Sequence, residues 1–392
     1  MSVETMLKTG SRLTPEHEET VKATISAIGA KIEEITPLFY KKMFTAHPEL
    51  IANTFNRGNQ KSGAQQKALA ASVVTFASML IDPDAPDPVD LLSRIAHKHV
   101  SLGITEDQYQ IVYENLFAAI VDVLGADVVT PDVAEAWTEV YDLMAAVLIG
   151  AEKDLYDERG VAPGDVFRKA EVIAKEQLTE TVTQYVLAGD FTAPKPGQYT
   201  SVGVELPDGA RQLRQYSIVD GDATQYRIVV NRDGEVSGHL QDNVEVGDLI
   251  DATLAAGDLV LDETEHPEAP VVLISSGIGS TPMVGMLSYL ADTASERRVT
   301  VLHADENRDS HAQAVQTETL VTKLPNVTYR TSYRDAGELI DIAAEIPAGA
   351  DVYLCGGNLF LQNIRGQLAA LDGDASPVAV HFELFSPNDW LV

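Results

Sequence analysis

His99 is a residue whose chemistry depends on where it lies on its helix. Leu92 and Ile95 precede it at helical spacing, which puts its imidazole on the apolar face, whereas His97 is rotated by about 200° and points elsewhere. A neutral imidazole can bind a metal through one nitrogen while its other N–H donates to an acceptor. A hydrogen-bonded core histidine is the commoner arrangement on an apolar face. The helix alone leaves both interpretations open.

A glycine-rich segment offers a second kind of chemistry, the binding of a dinucleotide phosphate. The segment is Gly277-Ile278-Gly279-Ser280-Thr281-Pro282, which follows a predicted strand over 271–275 and begins a predicted helix through Tyr289. A helix N-terminus after a strand supplies free backbone N–H groups and positive potential. Pro282 stands where the generic fingerprint has its third glycine, so a purely structural turn remains an alternative.

A third group combines arginine, tyrosine, serine and glycine. Its motifs are Pro196-Gly197-Gln198-Tyr199, Arg214-Gln215-Tyr216-Ser217 and Gly234-Glu235-Val236-Ser237-Gly238-His239-Leu240. An arginine can pair with a pyrophosphate, and glycine lets backbone N–H groups approach one. The motifs resemble the flavin-binding strand and the G-x-x-S-x-x-L phosphate turn of the ferredoxin–NADP reductase superfamily. The resemblance implies FAD, with Ser217 hydrogen-bonded to the flavin ring and the tyrosines against its faces.

The same superfamily resemblance extends to the C-terminal third. The glycine-rich segment is similar to its G-x-G-x-T-P form, which implies NAD(P)H. Leu354-Cys355-Gly356-Gly357 resembles its C-G-x nicotinamide loop, with Gly357 replacing the usual proline; a buried strand-end thiol is the other interpretation of Cys355. Glu383-Leu384-Phe385-Ser386-Pro387 resembles the terminal segment whose aromatic residue covers the flavin, with Ser386 replacing a usual glycine. Asp305 could favour NADH and Arg308 NADPH, so the preference stays open.

Composition limits the class of protein. The chain has 392 residues, a formal net charge of −31 and one cysteine. That length suggests two or three domains. One cysteine excludes intramolecular disulfides and sites that need several thiolates. The charge repels phosphate backbones and anionic lipids, so we expect no nucleic-acid partner. There is no long apolar stretch or signal-peptide pattern, so we expect a cytoplasmic protein without membrane insertion.

The chain divides into three parts that differ in their predicted secondary structure. Residues 1–158 are helical in periodicity, with helix starts predicted at Thr14-Pro15, Thr36-Pro37, Thr105-Glu106-Asp107-Gln108 and Thr130-Pro131. Residues 159–266 contain short alternating segments at 182–187, 198–202, 226–230 and 249–252, which predict an antiparallel β-barrel. Residues 267–392 contain apolar strands at 271–274, 299–303 and 352–355 separated by helical segments, which predict a parallel α/β sheet.

The helical domain resembles the globin part of the flavohaemoglobin family. An aromatic-rich segment over 38–44 is followed by His47-Pro48, by a phenylalanine, and by a polar and an apolar residue one turn apart. The resemblance makes His99 the proximal ligand of a haem b iron. It places Tyr40, Gln65 and Leu69 on the distal side and Phe55 against the haem.

The resemblance covers essentially the whole chain. It places Tyr109 and Glu152 behind His99, where a carboxylate would favour oxygen activation over storage, and Lys98 at the junction of globin and flavin parts. The implied activity is nitric oxide dioxygenase: NAD(P)H electrons pass through FAD to haem, and O₂ and NO become nitrate. An oxygen sensor or store, and a flavin-centred reductase of hydroperoxides or ferric chelates, are alternatives. We expect a monomer.

Overall fold

The computed structural model describes residues 13–82 and 88–385. They form two compact units, one containing the chain up to Phe167 together with Glu205–Leu213, the other containing Arg168–Val204 and Arg214–Phe385. Within these described ranges, no helix is both long and apolar enough to cross a membrane.

The first unit is helical, as predicted. Its helices are α1 (Pro15–Ala46), α2 (Pro48–Asn53), α3 (Arg57–Ser62), α4 (Ala64–Ile81), α5 (Pro88–Ser101), α6 (Asp107–Leu124) and α7 (Pro131–Glu158). The core lies where α1 packs against α4, α6 and α7. Val21, Ile28, Ile35, Phe39 and Met43 form the buried face of α1 because their spacing repeats at whole turns.

The predicted helix start at Thr36-Pro37 is wrong, because α1 continues through Pro37. The Thr36 hydroxyl donates to the Ile32 carbonyl at 3.0 Å instead of capping a new helix. Proline has no backbone N–H, so the Glu33 carbonyl loses its hydrogen bond within the helix. Both residues lie on the exposed face, where water can donate to that carbonyl instead. The other predicted starts are confirmed, and Thr14 and Thr130 accept from the backbone N–H three residues on.

The segment Glu205–Leu213 belongs to the helical unit through polar contacts. Gln212 is 1% exposed, and its amide nitrogen donates to the carbonyl oxygens of Ile51 at 3.0 Å and Ala52 at 3.1 Å. Its amide oxygen accepts from the backbone N–H of Arg57 at 3.2 Å. The end of α2 and the start of α3 therefore have partners for backbone groups that helix termini leave unpaired.

A closed barrel precedes the parallel sheet. Its strands are β1 (Phe167–Gln177), β2 (Val182–Ala188), β3 (Tyr199–Glu205), β4 (Arg211–Gly221), β5 (Gln225–Asn231) and β6 (Leu249–Thr253), in the spatial order β1-β2-β5-β4-β3-β6. The paired strands are antiparallel, as predicted. A helix that the sequence analysis did not predict, α8 (Glu235–Asn243), follows β5.

The C-terminal part is a parallel sheet, which confirms the predicted fold class. Its strands are β7 (Val271–Ser276), β8 (Val299–Asp305), β9 (Val327–Tyr333), β10 (Asp351–Cys355) and β11 (Ala379–Glu383), in the order β11-β10-β7-β8-β9. The helices between them are α9 (Ser280–Asp292), α10 (Ala314–Val321), α11 (Ile342–Glu345) and α12 (Asn358–Ala369). The sequence patterns did not predict β9 and β11.

The barrel and the parallel sheet share one apolar core. Val219 and Val229 of the barrel belong to the same cluster as Leu273 of β7 and Met286 of α9. Gly285 permits this contact, because a Cβ there would lie 2.6 Å from the carbonyl oxygen of Ile218 in β4. These two parts of the second unit therefore pack backbone against backbone. The predicted domain boundaries at 158 and 266 stay predictions.

Candidate functional site

His99 lies in the last turn of α5, beside a tyrosine from α6 and a glutamate from α7. Its Nδ1 is 2.7 Å from Glu152 Oε1 and 3.1 Å from the hydroxyl of Tyr109. Tyr109 donates to the same carboxylate oxygen at 2.5 Å. The Glu152 side chain is 4% exposed, so its charge is held almost out of solvent. Among the described residues, none hydrogen-bonds His99 Nε2, and that nitrogen is available to a metal.

The proton on Tyr109 is held in place by its surroundings. Burial and the adjacent Glu152 carboxylate raise the pKa of Tyr109, so its hydroxyl stays protonated and donates. The hydroxyl of Tyr141 donates to the Tyr109 carbonyl at 2.7 Å and fixes the backbone there. The carboxylate thus accepts from both the tyrosine and the imidazole, an arrangement that increases the basicity of the metal-binding nitrogen.

Tyr40 is enclosed by aromatic rings on the other predicted face. It is 5% exposed, with ring centroids 4.7 Å from Phe39, 5.6 Å from Phe44 and 5.9 Å from Phe55. Leu69 packs against the same apolar core. Tyr40, Phe55 and Leu69 therefore lie in one apolar environment, as a haem pocket requires.

Glutamines of α3 and α4 belong to the predicted distal side. Gln65, the predicted distal residue, is half-buried, and its side chain makes no hydrogen bond with any described residue. Gln66 instead donates from Nε2 to Gln60 Oε1 at 2.9 Å and to the Gln60 carbonyl at 3.2 Å. Sequence reasoning missed both residues, since Gln60 lies in α3 and the left-handed turn at Gly63 brings the two helices together.

These residues fit a haem. A histidine with one nitrogen committed to a carboxylate and the other available suits an iron ligand. The Nε2 of Gln60 is buried and has no hydrogen-bond partner among the described residues, as expected of a donor that faces a bound group.

The predicted flavin residues lie on β3, β4 and the start of α8. Arg214 Nη2 is 3.5 Å from Glu235 Oε1, and Ser217 is 5% exposed. Gln215 donates to the Ser201 hydroxyl at 3.1 Å. The hydroxyl of Tyr216 is buried and unpartnered within the described chain, and burial raises its pKa, so it remains a neutral donor. An unpartnered buried hydroxyl beside an arginine fits a dinucleotide such as FAD.

The residues of the predicted phosphate-binding motif at 234–240 form the beginning of α8. Gly234 caps that helix with a φ of 104°, a conformation that favours glycine. The Ser237 hydroxyl accepts from the backbone N–H of Asp233 at 2.7 Å. Tyr199 lies against Gly257, where a Cβ would be 3.0 Å from its ring. The helix N-terminus retains the expected suitability for a phosphate.

The glycine-rich segment forms a 3₁₀ turn, Gly277–Gly279, immediately before α9. A Cβ on Gly279 would lie 2.5 Å from the Cys355 carbonyl oxygen, and one on Gly356 would lie 2.5 Å from the Ser276 hydroxyl. The two predicted nucleotide loops therefore meet directly at the carboxyl ends of β7 and β10, where ligands of parallel sheets bind. Cys355 is fully buried at its strand end.

The remaining residues of this segment stabilise the turn through hydrogen bonds and packing inside the protein. Ser280 donates to Gln313 Oε1 at 2.6 Å, and Thr281 donates to the Ile278 carbonyl at 2.9 Å. Pro282 is buried in the first turn of α9. The hydroxyls of Ser280 and Thr281 are thus used within the protein, which leaves backbone N–H groups as the donors that this helix start could offer to a phosphate.

Asp305 ends β8 at the same edge of the sheet. It accepts from the Ser310 hydroxyl at 2.6 Å and its Oδ2 is 3.3 Å from His303 Nε2. Burial would raise its pKa, but the hydrogen bonds from His303 and Ser310 hold the pKa below its usual value. Arg308 pairs with Glu318 at 2.9 Å.

Sequence reasoning also missed a buried pair of histidines beside Asp305. The rings of His303 and His311 stack with centroids 3.9 Å apart. Burial, together with the adjacent His303, lowers the pKa of His311 to about 3, so the pair is not doubly charged. No sequence pattern indicated this pair, because the two histidines are brought together only by the fold.

The C-terminal segment is described only in part. Glu383 ends β11 and is 8% exposed, and its carboxylate accepts from the Leu384 backbone N–H at 2.8 Å. Phe385 is 50% exposed. Ser386 and Pro387 lie outside the described residues. Lys98 is exposed on α5.

Comparisons with known proteins agree with this layout. A family model described as Globin matches residues 38–148. The chain is 38% identical to a "Flavohemoprotein" of Deinococcus radiodurans, with 96% of this chain and 98% of that protein covered, and 37% identical to one of Halalkalibacterium halodurans, with 96% and 97% covered. The crystal structure of a Malassezia yamatoensis flavohemoglobin with bound FAD and heme has a TM-score of 0.88 and 34% identity, covering 95% of this chain and all of that one. The chain therefore belongs to the flavohaemoprotein family.

Proposed function

We propose that this flavohaemoprotein is a nitric oxide dioxygenase that uses NADH or NADPH, FAD and haem to convert NO and O₂ to nitrate. The observation that carries the proposal is the buried Glu152 carboxylate on His99 Nδ1 at 2.7 Å. A carboxylate in that position increases electron donation through the imidazole, which suits oxygen chemistry better than reversible storage. Tyr109, bonded to the same oxygen, keeps the carboxylate in place.

Each cofactor has matching residues. His99 would hold the haem iron, with Tyr40, Phe55 and Leu69 lining the pocket. When bound, haem supplies the site of oxygen chemistry, FAD converts the hydride of a nicotinamide into single electrons, and NAD(P)H supplies that hydride.

The two dinucleotides would bind in the second unit. Arg214 and the α8 N-terminus would bind the FAD pyrophosphate, while Tyr216 and Ser217 would contact its ring. The N-terminus of α9 and the loop at Cys355 and Gly356 would bind the nicotinamide dinucleotide. Family membership supports these assignments. A cytoplasmic location and a monomeric state stay predictions.

The variant His99→Ala tests the function. We expect it to abolish NO-dependent oxidation of NAD(P)H, because the iron loses its protein ligand. Reduction of ferricyanide by NAD(P)H should persist, since it requires only the flavin. Visible absorbance would show loss of the Soret band with flavin absorbance intact. NO turnover by a haem-free variant would overturn the proposal.

The same measurement separates two other functions. An oxygen sensor or store would consume NO slowly in the unmodified protein and keep its oxygen for long periods. A flavin-centred reductase would keep its main activity in His99→Ala. The arrangement of Glu152 on His99 favours the dioxygenase over both.

A further inference from the structure

The carboxyl end of β8 carries charged residues that bear on the choice between NADH and NADPH. These two molecules differ by a phosphate on the 2′-hydroxyl of the adenosine ribose, a group with a charge of about −1.5 to −2 near neutral pH. In sheets that bind dinucleotides, an acidic residue accepts from that hydroxyl, whereas a nearby arginine accommodates the phosphate. Both residue types occur here, as Asp305 and Arg308. Their contacts show which of them is available to a ligand.

Asp305 lies beside the glycine-rich turn. Strands β7 and β8 pair in parallel with Ser276 opposite Ala304, and the next residues along the two strands are Gly277 and Asp305. The turn leads into the N-terminus of α9, which would bind the diphosphate. A dinucleotide held there places its adenosine ribose near the end of the adjacent strand, so Asp305 is positioned to accept from the ribose.

The carboxylate of Asp305 is held in one orientation. Its Oδ1 accepts from the Ser310 hydroxyl at 2.6 Å and from the Glu306 backbone N–H at 2.7 Å, and its Oδ2 is 3.3 Å from His303 Nε2. A carboxylate has about four lone-pair sites, so these three partners leave one on Oδ2 for a ribose hydroxyl. The side chain is only 9% exposed, so a phosphate at the same place would meet a negative charge that solvent screens poorly.

Arg308, the residue suited to a 2′-phosphate, is engaged by an acid. Its Nη2 donates to Glu318 Oε1 of α10 at 2.9 Å. Arg334, which follows β9 at the same edge of the sheet, is likewise paired with Glu306. An exposed ion pair contributes little to stability, but its carboxylate competes with a phosphate for the same guanidinium N–H groups. Both arginines are therefore less available to a 2′-phosphate than the sequence alone indicates.

We propose that this chain binds NADH in preference to NADPH, with Asp305 accepting from the ribose and Glu318 acting as a specificity-determining residue that occupies Arg308. The inference deepens the proposed function and rests on its assignment of a nicotinamide dinucleotide to the second unit. The discrimination has a repulsive part, the fixed charge of Asp305, and a competitive part, the pairing of Arg308. Neither part requires a contact with the nicotinamide ring.

The test is the variant Glu318→Gln in the full-length protein loaded with FAD and haem. The measured quantity is the ratio of the dissociation constants of NADP⁺ and NAD⁺, obtained by titration calorimetry. We expect the unmodified protein to bind NAD⁺ more tightly by about tenfold or more. Glu318→Gln keeps the length of the side chain but releases Arg308, so NADP⁺ should bind more tightly by about two- to fivefold, with NAD⁺ nearly unchanged. The double variant Glu318→Gln/Arg308→Gln should lose that gain.

Two further variants complete the test. Asp292→Asn is the matched control, because it releases Lys323, 4.0 Å away, at the far end of α9 from the glycine-rich turn, and it should leave the ratio unchanged. Asp305→Asn should weaken NAD⁺ binding and reduce the preference by about tenfold. Ferricyanide reduction should show the same order of kcat/KM for NADH and NADPH. Equal flavin absorbance would show that each variant is folded.

The outcomes separate this inference from the proposed function. Equal or tighter binding of NADP⁺ by the unmodified protein would overturn the inference and leave the dioxygenase proposal standing. A gain in Glu318→Gln that persists without Arg308, or that also occurs in Asp292→Asn, would overturn the role of Glu318. Failure to bind or oxidise either dinucleotide would overturn the proposed function together with the inference.

Discussion

At the scale of single residues, the imidazole of His99 differs from that of His17, in the same helical unit, in the burial of the carboxylate that it contacts. His17 also meets a glutamate, Glu139, but that pair is about one quarter exposed, with side chains 26% and 29% accessible. Glu152 is 4% exposed, and it additionally accepts from Tyr109. A charge held away from solvent acts more strongly on its neighbour.

Replacing Glu152 by glutamine should therefore change the haem iron as well as the activity. Glutamine keeps the size and an acceptor oxygen but removes the charge. We expect a lower iron–histidine stretching frequency in the reduced protein, measured by resonance Raman spectroscopy, and NO turnover slower by about tenfold or more. Glu139→Gln is the matched control on the same helix and should change neither. An unchanged frequency in Glu152→Gln would contradict the assignment.

The resemblance to a known family predicted part of this site. Family resemblance pointed to His99, Tyr109 and Glu152, and the structure brings these three together within hydrogen-bond distance. It could not identify the contact between Gln60 and Gln66, because six positions separate them across the Gly63 turn. The direction in which a half-buried glutamine points depends on tertiary packing, which sequence spacing does not encode.

At the scale of elements, periodic apolar segments were predictable and proline signals were ambiguous. The strands over 271–274, 299–303 and 352–355 were found because strands buried on both faces are continuously apolar. Strand β9 lies at the edge of the sheet and alternates exposed and partly buried positions, so its apolar pattern is weaker than that of the central strands. Pro37 looked like a helix start, but the buried Thr36 on its N-terminal side continues the same helix.

Gly285 tests the packing of α9 on the barrel. A Cβ there would lie 2.6 Å from the Ile218 carbonyl oxygen, and backbone cannot move aside cheaply. We expect Gly285→Ala to lower the free energy of unfolding of the second unit by about 1–3 kcal/mol. Gly366→Ala, in α12 with open space around it, should instead raise it by about 0.5–1 kcal/mol. Thermal unfolding followed by flavin fluorescence would measure both, and equal destabilisation would refute the argument.

Gly357 stands where the family usually has a proline, and the backbone conformation at this position would accommodate a proline. Its φ is −68° and its ψ is 156°, and no atom lies within 4 Å of a Cβ built there. We expect Gly357→Pro to raise the free energy of unfolding by about 0.4–1 kcal/mol, because proline restricts the unfolded chain. Gly349→Pro is the control and should destabilise, since φ there is +63°. Loss of stability in Gly357→Pro would show that the glycine is needed.

At the scale of the whole molecule, the charge of −31 opposes the ligands that the site must bind. NADH carries two negative charges on its diphosphate. Several arginines in the second unit are paired with acids: Arg214 with Glu235, Arg232 with Asp242, and Arg308 with Glu318. Such pairing weakens the positive potential around these arginines, so we expect the net negative charge of the protein to repel an approaching dinucleotide.

Salt should therefore accelerate the use of NADH. Raising the ionic strength from about 10 mM to about 150 mM shortens the Debye length from about 30 Å to about 8 Å, so distant carboxylates no longer repel the dinucleotide. We expect kcat/KM for NADH, measured with ferricyanide held at saturation, to rise several-fold over that range. Association of carbon monoxide with the reduced haem is the control, because a neutral ligand feels no net repulsion and its rate constant should stay constant. A fall in kcat/KM with salt would mean that cations near the nucleotide loops, or the N-terminus of α9, outweigh the acidic surface and attract NADH.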